Sequence, residues 1–174
     1  GHISRPAAYY REFLFEHSGE LTASHIYNSD EIQNSGRNLV TELQNQGFIF
    51  ANVVATRVEF DRNKDNVTVR VTLEEGPQSI VEKMNFLGIQ KATARELEDV
   101  VGLKTGGPLQ VRLLDDSANR IIQFYRSKGY LDARVKNTGK SIITYKDNNT
   151  KAILTYDIYE GPLITVDSVV LYGN

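Results

Sequence analysis

The 174-residue chain has no cysteine, no tryptophan, one methionine, three histidines and four prolines. Without cysteine there is no disulfide, no thiol nucleophile and no cysteine metal site, and the compartment stays open because absence suits reducing and oxidising surroundings alike. A charge of one sign is also lacking. Twenty Lys and Arg against 22 Asp and Glu leave a formal charge of −2, and the cations are scattered, so neither a nucleic-acid backbone nor an anionic membrane surface is an apt ligand. No run approaches the ~20 consecutive apolar residues of a membrane-spanning helix. Gly1-His2 reads as a cloning scar, and Asn174 stops just after a repeat opens, so the sequence reads as an excerpt.

Catalytic patterns are missing as well. Gly102-Leu103-Lys104-Thr105-Gly106-Gly107 lacks the GxxxxGK[ST] spacing of a phosphate loop, and Gly139-Lys140-Ser141 has Arg134 where that loop's first glycine belongs. Asp115-Asp116 is a carboxylate pair, but neighbours on a helix project about 100° apart and do not converge on one substrate. His17 and His25 have no third ligand at metal spacing, and the Tyr and Phe residues fall at core periods rather than between basic residues. The expectation is a protein without catalytic residues, cofactor or metal, and not an enzyme.

What the chain does have is a repeat. Shifting by 82 lays Ile32, Gly36, Leu39, Val40 and Leu43 onto Leu114, Ala118, Ile121, Ile122 and Tyr125, and lays Gly47-Phe48, Ala51 and Val53 onto Gly129-Tyr130, Ala133 and Val135. A three-residue insertion in the following hairpin raises the shift to 85, so that Glu75-Gly76-Pro77 falls on Glu160-Gly161-Pro162. Beyond it Val81-Glu82, Phe86 and Gly88 fall on Val166-Asp167, Leu171 and Gly173. The chain therefore divides into modules at 1–77 and 78–163, with 164–174 opening a third.

Within the second module, Ile80 to Leu87 reads as a strand and Thr93-Ala94-Arg95-Glu96 as a capping box, with Leu97, Val100 and Val101 as the buried stripe of the next helix. Val111 to Lys128 follows as an amphipathic helix on Leu114, Ala118, Ile121, Ile122 and Tyr125, and Gly129 ends it in the left-handed conformation that glycine takes cheaply. Ala133 to Lys146 and Lys151 to Glu160 form a hairpin turned by Asp147-Asn148-Asn149-Thr150, with Gly139 a candidate bulge. The first module reads likewise. Tyr10, Phe13, Leu14 and His17 share one face of an opening helix that closes at Gly19, though Glu12 to Glu16 also alternates as a strand would. Asn28 and Glu31 cap a second helix running to about Gln46. Phe48 to Asp61 is then a strand with Val54, Thr56, Val58 and Phe60 on alternate positions, turned at Asn63-Lys64-Asp65-Asn66 and returned by Val67, Val69, Val71 and Leu73. The register puts that module's own first strand before residue 6.

This order, with a helix ending Tyr-Arg-Ser-Lys-Gly-Tyr at 125–130, then Leu-Asp-Ala-Arg-Val at 131–135 and a closing Glu-Gly-Pro, resembles the polypeptide-transport-associated (POTRA) domain. The likeness spans Ile80 to Pro162 and, in the first module, Asn28 to Pro77. It implies an α+β fold of two β-α-α-β-β modules, each a three-stranded mixed sheet covered on one face by two helices. It also implies a periplasmic arm at the outer membrane, ahead of a C-terminal β-barrel in the parent protein. The arm would bind unfolded outer-membrane β-barrel proteins and accessory periplasmic lipoproteins or scaffold, and would not bind nucleic acid. Alternatives within the same family are the arm of a two-partner-secretion transporter, or of an outer-membrane hydrolase or autotransporter.

β-Augmentation, the pairing of an extended guest with an exposed sheet edge, is the physical means such a module would use. The resemblance places that edge on the second strand of each module, at about Ala51 to Val58, with Ala51, Asn52, Val53 and Val54 as candidate residues, and at Ala133, Arg134, Val135, Lys136, Asn137 and Thr138. A mostly apolar strand at Thr165 to Tyr172 with no sheet of its own raises one more expectation, strand-swapped self-association.

Overall fold

The computed structural model describes residues 4–16, 27–63 and 65–173. His17, Gly19, His25 and Lys64 lie outside them. Contacts divide the chain into two compact units, Gly1–Ser79 with Pro108–Gln110 and Ile80–Gly107 with Val111–Asn174. No helix among the described residues is long and apolar enough to cross a membrane.

The second unit begins with β3 (Ile80–Leu87), α3 (Ala94–Val101) and α4 (Leu113–Ser127), and ends with β4 (Arg134–Val135), β5 (Ile143–Lys146) and β6 (Lys151–Tyr159). β6 is central. β3 lies parallel along one side of it, and β4 and β5 lie antiparallel along the other, giving a mixed sheet. The period of two along β6 turns Ala152, Leu154, Tyr156 and Ile158 onto one face, where all four are buried. The period of 3.6 along α4 turns Leu114, Ala118, Ile121 and Tyr125 into the same core, as their spacing requires. The Tyr156 hydroxyl needs a partner there and meets Ser117 Oγ at 2.7 Å. Thr93 and Glu96 close the expected capping box at the head of α3.

The first unit holds α1 (Ala7–Glu16), α2 (Ser29–Asn45), β1 (Asn52–Phe60) and β2 (Val67–Glu74). The opening segment is thus helical rather than extended. Asn28 caps α2, its side chain accepting from the amides of Asp30 and Glu31 at 3.0 and 3.5 Å. Tyr10, Leu39, Leu43 and Ala51 form the core, with Tyr9, Leu14, Phe48 and Leu73 against it. β1 and β2 are an antiparallel hairpin, two strands of the sheet among the described residues.

The alternating stripe expected on β1 is broken at Val54. Between Val53↔Leu73 and Ala55↔Thr72 the strand advances two residues against one, which is a β-bulge. Val54 is consequently exposed, and Val53 takes the inward place beside Gly36 of α2.

Glu75 and Glu160, each heading a closing Glu-Gly-Pro, are buried latches. Oε1 of Glu160 accepts from the amides of Gln90 and Lys91, both at 2.9 Å, and from the Tyr125 hydroxyl at 2.8 Å, tying the β3–α3 loop to α4. Glu75 accepts from the Ser4 amide at 2.8 Å and from the Tyr10 hydroxyl. The carboxylate repeats, while the tyrosine comes from the second helix in one unit and the first in the other.

Burial pushes the Glu160 carboxyl up, but the Lys91 and Gln90 amides and the Tyr125 hydroxyl outweigh it and hold it below its usual value. Glu96 is held down to about 2 by Lys128 and by Thr93. Both groups therefore contribute stability that is full above the unfolded value near 4.5 and is lost as pH falls through the folded one. Unfolding by urea is expected to become easier between pH 5 and pH 2. Glu160→Gln should be weaker at pH 7 yet change less over that interval, and an unaltered pH slope would show that the carboxylate is not the source.

Candidate functional site

An edge strand offers a guest only those amides and carbonyls that its own partner leaves free, so hydrogen-bond phase decides which residues are available. On β1 the phase is set at the turn, where the Asp61 amide donates to Asn66 O at 3.0 Å. Counting back by alternation, Arg57 and Glu59 face β2, while the amides of Thr56, Val58 and Phe60 face away. Among the described residues β1 pairs with β2 alone, leaving nine residues of edge. Val54 and Phe60 are 52% and 55% exposed along it, with Phe60 edge-on to Tyr27.

The corresponding strand of the second unit is interrupted. Lys136 N donates to Asp157 O at 2.7 Å, which fixes the phase and turns the amide and carbonyl of Val135 outward. The chain then leaves the ladder through a 3₁₀ turn at Gly139–Ile142 and returns as β5. From Val135↔Ile158 to Ile143↔Leu154 it advances eight residues against four, in place of a one-residue bulge at Gly139. That surplus exceeds the bulge at Val54 by three residues, so the insertion that changes the repeat shift from 82 to 85 is this turn. Asn137 repairs the gap with its side chain, which donates to Thr155 O at 2.7 Å and accepts from the Asp157 amide at 2.9 Å.

The ten sequence-derived residues therefore separate. Ala51 and Ala133 are buried corners, their amides bonded to Phe48 O and Tyr130 O at 2.9 and 3.2 Å. Asn52, Val53 and Val54 lead into β1 around its bulge. Arg134 lies over the Tyr159 ring at 4.5 Å, and Lys136 reaches Asp157 at 3.0 Å, so both cations are pinned to β6 on the exposed side. Thr138 caps the 3₁₀ turn. Thr56 and Val58, at the far end of the expected edge, carry its outward amides, while Phe60 and, in the second unit, β5 extend the edge beyond the residues expected from sequence. The three-residue difference between the repeat shifts was the available signal.

Comparison with known proteins follows the same division. The family model for POTRA, described as surface antigen variable number repeat, matches residues 9–76 and again 79–161. A provisionally named outer membrane protein assembly factor of Treponema pallidum is 26% identical over 160 residues, 88% of this chain and 19% of that protein. Outer membrane protein assembly factor BamA of Nitratidesulfovibrio vulgaris is 28% identical over 133 residues, 71% of this chain and 16% of that protein. The chain thus spans less than a fifth of the length of these curated relatives. Among solved structures, POTRA3-5 of Haemophilus influenzae BamA aligns over 99% of this chain and 70% of its own, at 18% identity and a TM-score of 0.55. BamA from Haemophilus ducreyi lacking POTRA domains 1-3 aligns over 86% and 26%, at 15% identity and a TM-score of 0.53. At such identities the likeness is one of fold.

Proposed function

The chain belongs to the POTRA family, in two tandem copies, and from that premise we propose that it is part of the periplasmic arm of an outer-membrane protein assembly factor. The modules are bounded at 1–77 and 78–163, with 164–174 opening another. The arm binds extended segments of unfolded outer-membrane β-barrel chains by β-augmentation and passes them on for insertion, and it contacts accessory periplasmic subunits of the same machinery. Main-chain pairing tolerates many sequences, which suits a site serving many clients, and the task needs no catalytic step. The family and the names of the relatives support the assignment. The observation that carries the mechanism is the nine-residue β1, which among the described residues is paired on one side and bears exposed Val54 and Phe60. Two-residue β4 is the lesser edge.

Proline separates backbone pairing from side-chain contact, because it deletes a donor and is tolerated where that donor faces solvent. Val58→Pro is expected to weaken binding of a synthetic nine-residue barrel-strand peptide by about five- to tenfold, the worth of roughly one hydrogen bond. Val135→Pro should do less, and Arg134→Ala little. Titration by fluorescence anisotropy, with circular dichroism to certify folding, is the measurement. If Val58→Pro and Val135→Pro are both folded and both bind as the parent does, augmentation at these edges is wrong.

A further inference from the structure

Thr56, whose amide faces outward from β1, also lines a groove between that strand and α2. The walls include Gly36, Arg37 and Val40 of α2, Val53 and Thr56 of β1 and Val71 of β2, and they enclose about 450 Å³. Small residues hold the groove open. A Cβ on Gly36 would meet Val53 at 3.7 Å and nothing nearer, and Val71, which pairs with Thr56, is only half-buried. Arg37 is the one charged wall residue. It is exposed, and its guanidinium donates to Asn34 Oδ1 at 3.4 Å and to no carboxylate among the described residues.

The second unit fills the matching place from its own chain. By the repeat, Gly36, Val40 and Val71 become the bulkier Ala118, Ile122 and Tyr156, and Tyr156 is fully buried. Thr56 stands opposite Val71, whereas opposite Tyr156 the edge has left its ladder, between Val135↔Ile158 and Ile143↔Leu154. The 3₁₀ turn occupies that place. It packs on α4 and β6, its Gly139 amide donates to Asp115 Oδ1 at 3.2 Å, and its Ile142 is 1% exposed. Asp115 is the match of Gln33, a further wall of the first unit's groove. One unit thus carries an aliphatic plug beside its edge strand, and the other, three residues shorter in this hairpin, supplies none from it.

We propose that this groove selects among guests: an extended strand paired with β1 places one branched aliphatic side chain, opposite Thr56, where the second unit places Ile142, and a carboxylate two residues along the same face pairs with Arg37. This rests on β1 being a pairing edge. Residues opposite each other in a ladder turn their side chains to one face, so the guest residue beside Thr56 faces the groove. Main-chain pairing alone is indifferent to sequence, and a pocket for alternate side chains is what gives a strand-binding edge a preference. The preferred guest is therefore an amphipathic strand with an aliphatic and an acidic residue on its inner face. The second unit, with Ile142 in place, has no such preference.

Peptides that differ only on that face separate selection from pairing. The first carries Ile at its centre and Asp two residues on, with Thr elsewhere on the face; the second has Ser for Ile, and the third has Asn for Asp. Binding to the full chain, read by fluorescence anisotropy, should weaken at least about tenfold from the first to the second, the scale of burying one aliphatic side chain. From the first to the third it should weaken about two- to fivefold. Arg37→Glu should abolish the advantage of Asp over Asn and leave that of Ile over Ser. Gly36→Leu, which fills the groove from a helix position with room for a Cβ, should bring the Ile and Ser peptides within about twofold of each other. Equal affinity of those two peptides for the parent chain, with Val58→Pro still weakening both, overturns the groove and leaves the edge standing. Binding that Val58→Pro does not weaken takes place away from β1 and overturns both.

Discussion

Gly88→Ala is expected to cost the second unit about 2–5 kcal/mol, because two separate penalties meet at one position. The residue has φ of +78°, and a Cβ there would stand 2.2 Å from the carbonyl oxygen of Ile158. Left-handed backbone costs an alanine about 1–2 kcal/mol. The close approach adds a further ~1–3 kcal/mol, the scale of forcing extra volume into a packed interior, since the obstacle is main chain of the central strand and cannot rotate aside. Gly106→Ala is the control. Its φ is +83° with nothing within 4 Å of the added carbon, so it carries the conformational penalty without the collision. Urea denaturation of the two variants at pH 7 separates the terms, and equal losses would mean that the approach of β3 to Ile158 is not what requires glycine at 88.

The repeat made much of this architecture readable before any coordinate. Residues with a strong local cause were legible: the capping box at Thr93 and Glu96, the cap at Asn28, and the apolar faces of α2 and α4, whose period alone says which side is buried. The edge was less so. Val54 alternates correctly with Thr56 and Val58, but a bulge is a property of two paired strands, and one strand's sequence does not contain it. Asn137 likewise reads as one more residue of the edge strand until β6 is beside it with an amide at Asp157 and a carbonyl at Thr155 that its side chain alone meets. Glu160 was hidden differently: its neighbours Gly161 and Pro162 explain the end of the strand so well that a carboxylate with donors from Gln90, Lys91 and Tyr125, 35 or more residues away, left no local trace. Ion pairs would have been a poor guide, because the six among the described residues are all substantially exposed.

Ile121→Ala is expected to lower the stability of the second unit by about 2–5 kcal/mol, whereas Asp116→Ala on the same helix should change it by no more than about 0.5 kcal/mol. Ile121 is fully buried in α4, one turn from Tyr125, so truncation removes its transfer free energy and leaves a cavity that the sheet and α3 close only in part. Asp116 pairs with Arg120 at 2.8 Å, but both side chains are 51% exposed, and an i,i+4 pair in water contributes a few tenths of a kcal/mol at most. Its place in the first turn of α4 adds a small favourable interaction with the helix dipole, also screened at the surface. The contrast between these two substitutions therefore tests the assignment of the buried face rather than the general sensitivity of the helix. Comparable losses in urea denaturation would require α4 to be rotated about its axis, and with it the placement of Tyr125 against Glu160.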